Sequence, residues 1–243
     1  MGLRDNKIIL FLLYIFILII LLCGISGGLQ VKEDIRNHKV PLDRHRKNLI
    51  EYSGCAATDW NFMLQIFFIS LAVLDELSKL LSLPSKVQNL LSKVRAYIFN
   101  SLVFPCSTLV VFTFWSIWAV DRELIFPKVM DTFFPSWLNH VLHTFIAIPL
   151  VIEILLPKKD NFVQFKNAAP ILLFYAGLYQ TLYFSIYLRD GVWLYPIYKV
   201  LSIPQMVLFN IVQMLLILGF QYVGISLQNS KMKKTEVGKK KVK

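Results

Sequence analysis

Charge is scarce in this sequence, and cysteine is scarcer. Only 17% of the residues are Asp, Glu, Lys or Arg, and mean hydropathy is +0.57, which leaves too little polar surface to solvate a globular domain. The three cysteines, Cys23, Cys55 and Cys106, stand far apart with no C-x-x-C spacing. That pattern excludes a disulfide framework and a cysteine-based zinc site. The chain also lacks a repeat of fixed period, a glycine-rich phosphate loop and any low-complexity segment besides its basic tail. The net charge of +11 does not imply a nucleic-acid partner. The basic residues gather at the ends of apolar runs and in the tail, where membrane topology accounts for them.

What remains is apolar residue in long runs. About 20 residues at 1.5 Å each cross the hydrocarbon of a bilayer, and six runs approach that length: 8–23 (extendable to Gly28), 57–74, 98–120, 137–156, 171–188 and 206–227. The fold class expected is all-α, a polytopic integral membrane protein of about six transmembrane helices. Four parts follow: a first span or signal anchor over 1–28, a polar loop over 29–56 carrying His38 and His45, a five-helix core over 57–227, and a basic tail over 228–243. Pro105 sits inside the third run and should kink it. An even number of spans puts both termini on one side, and the Lys and Arg bias favours the cytosol for it. The tail ends Lys240-Lys241-Val242-Lys243, which fits a retrieval signal of the endoplasmic reticulum. Another endomembrane or the plasma membrane is the alternative, with the tail then a basic patch against anionic lipid.

Polar residues inside such runs are the candidates for function. The crossing DRELIFPKVMDTFFPSWLNHVLHT, Asp121–Thr144, feeds Asn139, His140 and His143 into the fourth run. Parity of the spans brings Thr58, which opens the second run, to the same surface as His140 and His143. His140 and His143 share a helix face at i and i+3, and His143 lies roughly 9 Å beyond Trp137. A hydroxyl becomes a nucleophile when a base takes its proton, and histidine is the usual base. Thr58 with a histidine therefore suits acyl transfer, with the backbone N–H groups of Asp59 and Trp60 as oxyanion donors. The same residues admit other readings. Thr58 is a good helix N-cap, and His-x-x-His with one of Asp59, Asp121 or Asp131 would make a metal site. Asp121-Arg122-Glu123 reads as a local ion-pair cluster or as Arg122 gripping a substrate carboxylate. Asp75, Glu76 and Lys79 read as an interfacial cluster, and Glu153 as a partner of Lys158 or Lys159. Gln180, Asn210 and Gln213 read as interhelical hydrogen bonds. Trp193 and Tyr195, in GVWLYP, rim the surface that Thr58 reaches.

The long crossing with its following IPLVIE, together with FPCSTLVVFTFW at Phe104–Trp115, VLDELSKLL at Val73–Leu81 and GVWLYP at Gly191–Pro196, resembles the androgen-induced membrane hydrolases over about residues 57–227. The resemblance implies a multi-span threonine hydrolase that needs no cofactor or metal and cleaves fatty acid esters of hydroxy fatty acids. In that family a Thr opening the second span is the nucleophile and the second His of N-H-x-x-H-T its partner. Those positions are Thr58 and His143 here, with Asn139, His140, Arg122, Trp193 and Tyr195 placed to meet a lipid ester. The chain departs from the family at Thr58-Asp59-Trp60-Asn61, where Asn61 stands in the place usually held by an acid. The non-enzymatic alternative is a transporter or regulatory membrane protein using the histidines as a proton or ligand site.

Overall fold

The structure is a computed structural model that describes residues 3–37, 51–52, 54–155 and 163–241, with the side chains of 3–5 and 231–241 outside that description. His38, His45, Pro157, Lys158, Lys159 and the last two residues of the tail lie outside the described residues. Among the described residues, six helices are long and apolar enough to cross a membrane. We number them α1 (Leu3–Arg36), α2 (Ala57–Leu80), α3 (Ser85–Leu124), α4 (Ser136–Leu155), α5 (Phe165–Asp190) and α6 (Ile203–Lys241). No strand occurs among the described residues. Large side chains on the outer faces are bare, among them Val120, Leu188 and Ile203. That is the arrangement expected where lipid is the solvent.

The core follows from a stripe on α2. Its buried residues Asn61, Phe62, Gln65, Phe68, Ile69, Ala72, Asp75 and Glu76 recur at three- and four-residue spacing, so one face of the helix turns inward along its whole length. Against that face pack Tyr14, Ile17 and Leu21 of α1, Phe99 and Val103 of α3, and Ile146 and Leu150 of α4. The small residues of GISGG let α1 come close: a Cβ on Gly27 would stand 2.4 Å from the Trp137 ring, and one on Gly24 would stand 2.7 Å from Phe62. α5 and α6 join on the other side of α3 through Leu172 and Ile217, which meet Cys106.

Two of the helix boundaries that differ from the reading of the sequence have physical reasons that the structure supplies. α1 continues to Arg36 instead of yielding to a loop at 29, because Val31 and Ile35, four residues apart, bury themselves against Leu138. α3 begins at Ser85, well before the apolar run at 98. Its basic first half is helical, and Arg95 turns inward at 3% exposure to meet Asp75, Glu76 and Glu153. Tyr14 donates to Glu153 at 2.5 Å, and Lys79 bridges Asp75 and Glu76 at 2.8 and 3.0 Å. The acidic group at the end of α2 is thus a buried network tying four helices rather than an interfacial cluster, and Glu153 finds Arg95 and Tyr14 within it.

Prolines shape two of the three helices that carry the site. Pro105 has no N–H for the carbonyl of Ser101, and the turn before it, Phe99–Val103, widens to a π-helical form. Gln221 of α6 donates to that Ser101 carbonyl at 3.1 Å, so α3 stays continuous and the bend becomes a contact. α4 carries a second π turn, Val141–Phe145, ahead of Pro149. This turn holds His143.

Candidate active site

Ala56, not Thr58, is the N-cap of α2, and the cap-like acceptor is Asp59, whose carboxylate takes the amides of Gly54 and Ala56 at 3.1 and 3.3 Å. Thr58 lies inside the first turn, and its hydroxyl is therefore free of capping duty. It points to α4, where Oγ1 stands 3.2 Å from His143 Nε2. The other ring nitrogen, Nδ1, lies 2.9 Å from Asn139 Oδ1 and 3.0 Å from the Asn139 backbone oxygen. Both are acceptors, so Nδ1 carries the proton and Nε2 presents its lone pair to Thr58. The imidazole lies flat on Phe114, ring centres 3.6 Å apart and planes 12° from parallel. Trp115 Nε1 donates to the His143 carbonyl at 3.1 Å, occupying a backbone acceptor within the π turn. His143 is 6% exposed and Asn139 5%, so Thr58, His143 and Asn139 form a line of hydroxyl, imidazole and amide held between α2, α3 and α4.

The first turn of α2 separates two cavities. The inner one, about 170 Å³, is lined by Thr58, Trp60 and Asn61 on α2 and by Phe114, Tyr179 and Met214 on α3, α5 and α6. The outer one, about 870 Å³, lies between the start of α2, the end of α1 and the two loops of the same side, with Asp59, Lys32, Met130, Phe134 and Trp193 on its wall. Apolar side chains dominate both. A molecule with hydrocarbon on each side of a polar linkage would place the linkage at Thr58.

Tyr195 closes the inner cavity from the 191–202 loop. Its hydroxyl accepts the Ala57 N–H at 2.7 Å and lies 3.0 Å from the Tyr179 hydroxyl. Burial pushes that hydroxyl up to about 12, so it remains a neutral phenol at physiological pH. Trp193 is stacked on Tyr187, 3.6 Å between ring centres, and faces the outer cavity. Arg122 pairs with Asp131 at 2.8 Å, donates to the Phe126 carbonyl and covers the Trp118 ring. It lies outside the lining of both cavities. His140 is exposed, 3.1 Å from the Thr144 hydroxyl and stacked on Trp115, also away from the two cavities. Of the histidine pair, His143 alone meets Thr58. Asp59 and Asp131 are engaged elsewhere, and among the described residues no three of His, Cys, Asp and Glu come together as metal ligands.

Two further features of this arrangement differ from the reading of the sequence. Trp60, one of the two amides expected to face an oxyanion, donates to the Ala56 carbonyl at 3.2 Å, because it is the first amide to reach a carbonyl four residues back. Asn139, expected at the substrate, instead accepts from His143 Nδ1. The signal for it is present, since Asn139 and His143 stand at i and i+4 and so share a helix face. A polar line below Thr58 was not anticipated either: Asn61 and Gln65 continue its face, and Ser107 on α3 joins both.

Comparison with known proteins places the chain. The family model for FAR-17a/AIG1-like protein matches residues 57–229, which is α2 through α6. The androgen-dependent TFPI-regulating protein of Mesocricetus auratus is 33% identical over 165 residues, covering 68% of this chain and 70% of that protein. Its counterpart in Homo sapiens is 30% identical over 171 residues, covering 70% and 74%. The androgen-induced gene 1 protein of Homo sapiens is 32% identical over 150 residues, covering 56% and 62%. No solved structure matches. With the match spanning five of the six helices and both sides of the Thr58 and His143 contact, this multi-pass membrane protein belongs to the FAR-17a/AIG1-like family.

Proposed function

We propose that the chain is a membrane-embedded threonine hydrolase of lipid esters. The observation that carries the reading is the Thr58 Oγ1 to His143 Nε2 contact, 3.2 Å, with Nδ1 held by Asn139. In this mechanism His143 Nε2 takes the Thr58 proton as Oγ1 bonds to the ester carbonyl carbon. The carbonyl π pair moves onto oxygen, and collapse of the tetrahedral intermediate expels the alkoxide, which recovers the proton from His143. Water repeats the sequence on the acyl-threonine and releases the acid. The two apolar cavities on either side of Thr58 suit an ester with a hydrocarbon arm on each side. That shape supports fatty acid esters of hydroxy fatty acids, the class the resemblance implies, with the bilayer as the route of entry. Trp193 would meet the arm in the outer cavity and Tyr195 the arm in the inner one. The lysine-rich tail supports residence in the endoplasmic reticulum or another endomembrane.

Fluorophosphonate labelling in membranes tests the reading. The label should map to Thr58 and vanish, together with ester hydrolysis, in Thr58→Ala and His143→Ala. Labelling that persists at another residue, or no labelling of well-expressed protein, would turn the assignment toward a non-enzymatic transporter or regulatory protein.

A further inference from the structure

Ester cleavage needs a donor for the oxyanion as well as a nucleophile and base, and two of the backbone amides nearest Thr58 are committed elsewhere: Ala57 N–H to Tyr195 and Trp60 N–H to Ala56. One helical turn beyond Thr58, Asn61 is 2% exposed. Its orientation is set by a chain of hydrogen bonds with one polarity. The Ile146 carbonyl can only accept, so Gln65 turns Nε2 toward it at 3.1 Å and gives a second hydrogen to Ser107 Oγ at 2.8 Å. Ser107, having accepted, donates its own proton to Asn61 Oδ1 at 2.7 Å. Asn61 Nδ2 must then face the other way. There it has no acceptor among the described residues, and it belongs to a residue that lines the inner cavity beside Thr58. The remaining buried donors without a partner, on Ser101, Tyr183 and Gln228, lie outside that lining.

We infer that Asn61 Nδ2 is the oxyanion donor of the site. The inference rests on the hydrolase reading and adds a catalytic residue to it. Thr58 and Asn61, at i and i+3, present their side chains on one helix face. As Thr58 Oγ1 bonds to the carbonyl carbon and its proton passes to His143, the carbonyl oxygen gains the π pair and turns toward Nδ2. The donor is already desolvated and its orientation fixed by Ser107, so little reorganisation accompanies charge development. The departure from the family pattern at this position becomes functional, since an amide donates there without first having to be protonated.

The test compares an ester with its thiono analogue, in which sulfur replaces the carbonyl oxygen and accepts hydrogen bonds poorly, using full-length protein in detergent micelles. Asn61→Leu, which keeps the branched four-atom skeleton without the amide, should lower kcat on the ester by about 10²- to 10³-fold with KM unchanged, the loss typical of a missing oxyanion donor. Thionoester turnover should fall far less, so the ester-to-thionoester ratio collapses. Ser107→Ala, which keeps the amide but releases its orientation, should move the ratio the same way by less. The ratio is internal to each preparation, so partial misfolding does not alter it. An unchanged ester kcat, or equal loss on both substrates, overturns the donor role and leaves the Thr58 and His143 reading standing. If Thr58→Ala hydrolyses the ester as well as wild type, the hydrolase reading itself fails.

Discussion

Asn139→Ala should slow ester hydrolysis about tenfold, not several thousandfold. In serine hydrolases the residue behind the histidine is commonly the sole acceptor for Nδ1–H, and replacing it inverts the tautomer at a cost near 10⁴ in kcat. Here Nδ1 lies between two acceptors of the same residue, Oδ1 at 2.9 Å and the backbone oxygen at 3.0 Å. Truncation to alanine removes only the first. The backbone oxygen still fixes the tautomer, and Phe114, stacked 3.6 Å from the ring centre, still fixes the ring plane. What is lost is one neutral hydrogen bond, about 1–1.5 kcal/mol, which is roughly a factor of ten in rate if expressed wholly in the transition state. The assay is kcat on a soluble chromogenic ester in micelles, with the thermal midpoint of each variant measured in parallel. A loss beyond about 10³, in protein of unchanged thermal midpoint, would mean that the backbone oxygen does not hold the proton. The site would then depend on Oδ1 as chymotrypsin-like enzymes depend on their carboxylate. No loss at all would remove Asn139 from the machinery.

Two further outcomes concern stability. Arg95→Leu leaves Asp75, Glu76 and Glu153 buried at 5% exposure or less without their shared guanidinium, and should cost about 3–5 kcal/mol, read as a large drop in thermal midpoint in detergent; a change below about 1 kcal/mol would show the network to be solvated. Gly27→Val places carbon where the Trp137 ring already stands, 2.4 Å from the new Cβ, and should cost about 1–3 kcal/mol by overpacking. Because Trp137 opens the helix that carries His143, hydrolysis should fall with it, and a variant of normal stability and activity would mean that α1 does not press on α4 there.

The six spans were legible because a membrane imposes length and polarity on each segment independently, and the family could be read from motifs spaced along α2 to α6. The ends of helices were less so. Lys86, Lys93 and Arg95 fall outside the apolar run at 98–120, since nothing local distinguishes a basic helix from a basic turn, and only the carboxylates of α2 and α4 explain why Arg95 points inward. Within the site, span parity places Thr58 and His143 at one surface, but a 3.2 Å contact is a property of three helices packed together and has no local signal. The π turn at Val141–Phe145 is equally invisible. The i,i+3 spacing put the two histidines on one helix face. The structure pairs His143 with Asn139 at i,i+4 and leaves His140 exposed against Trp115.

The polar line on α2 could have been read more fully. Thr58, Asn61 and Gln65 recur at three and four residues in a helix whose first three turns are otherwise apolar apart from Asp59, and polar groups in hydrocarbon are retained only with partners. Such a line must be met by another helix, and Ser107, two residues after the helix-bending Pro105, meets it. The same device therefore serves two ends. The bonds of Gln65 Nε2 and Asn61 Oδ1 lock α2 to α3 and α4, and Asn61 Nδ2 is held on the helix face that carries Thr58. A site of this kind is assembled by the packing of the span rather than added to it, so the residues that stabilise the bundle and those that would carry the chemistry lie on one helical face.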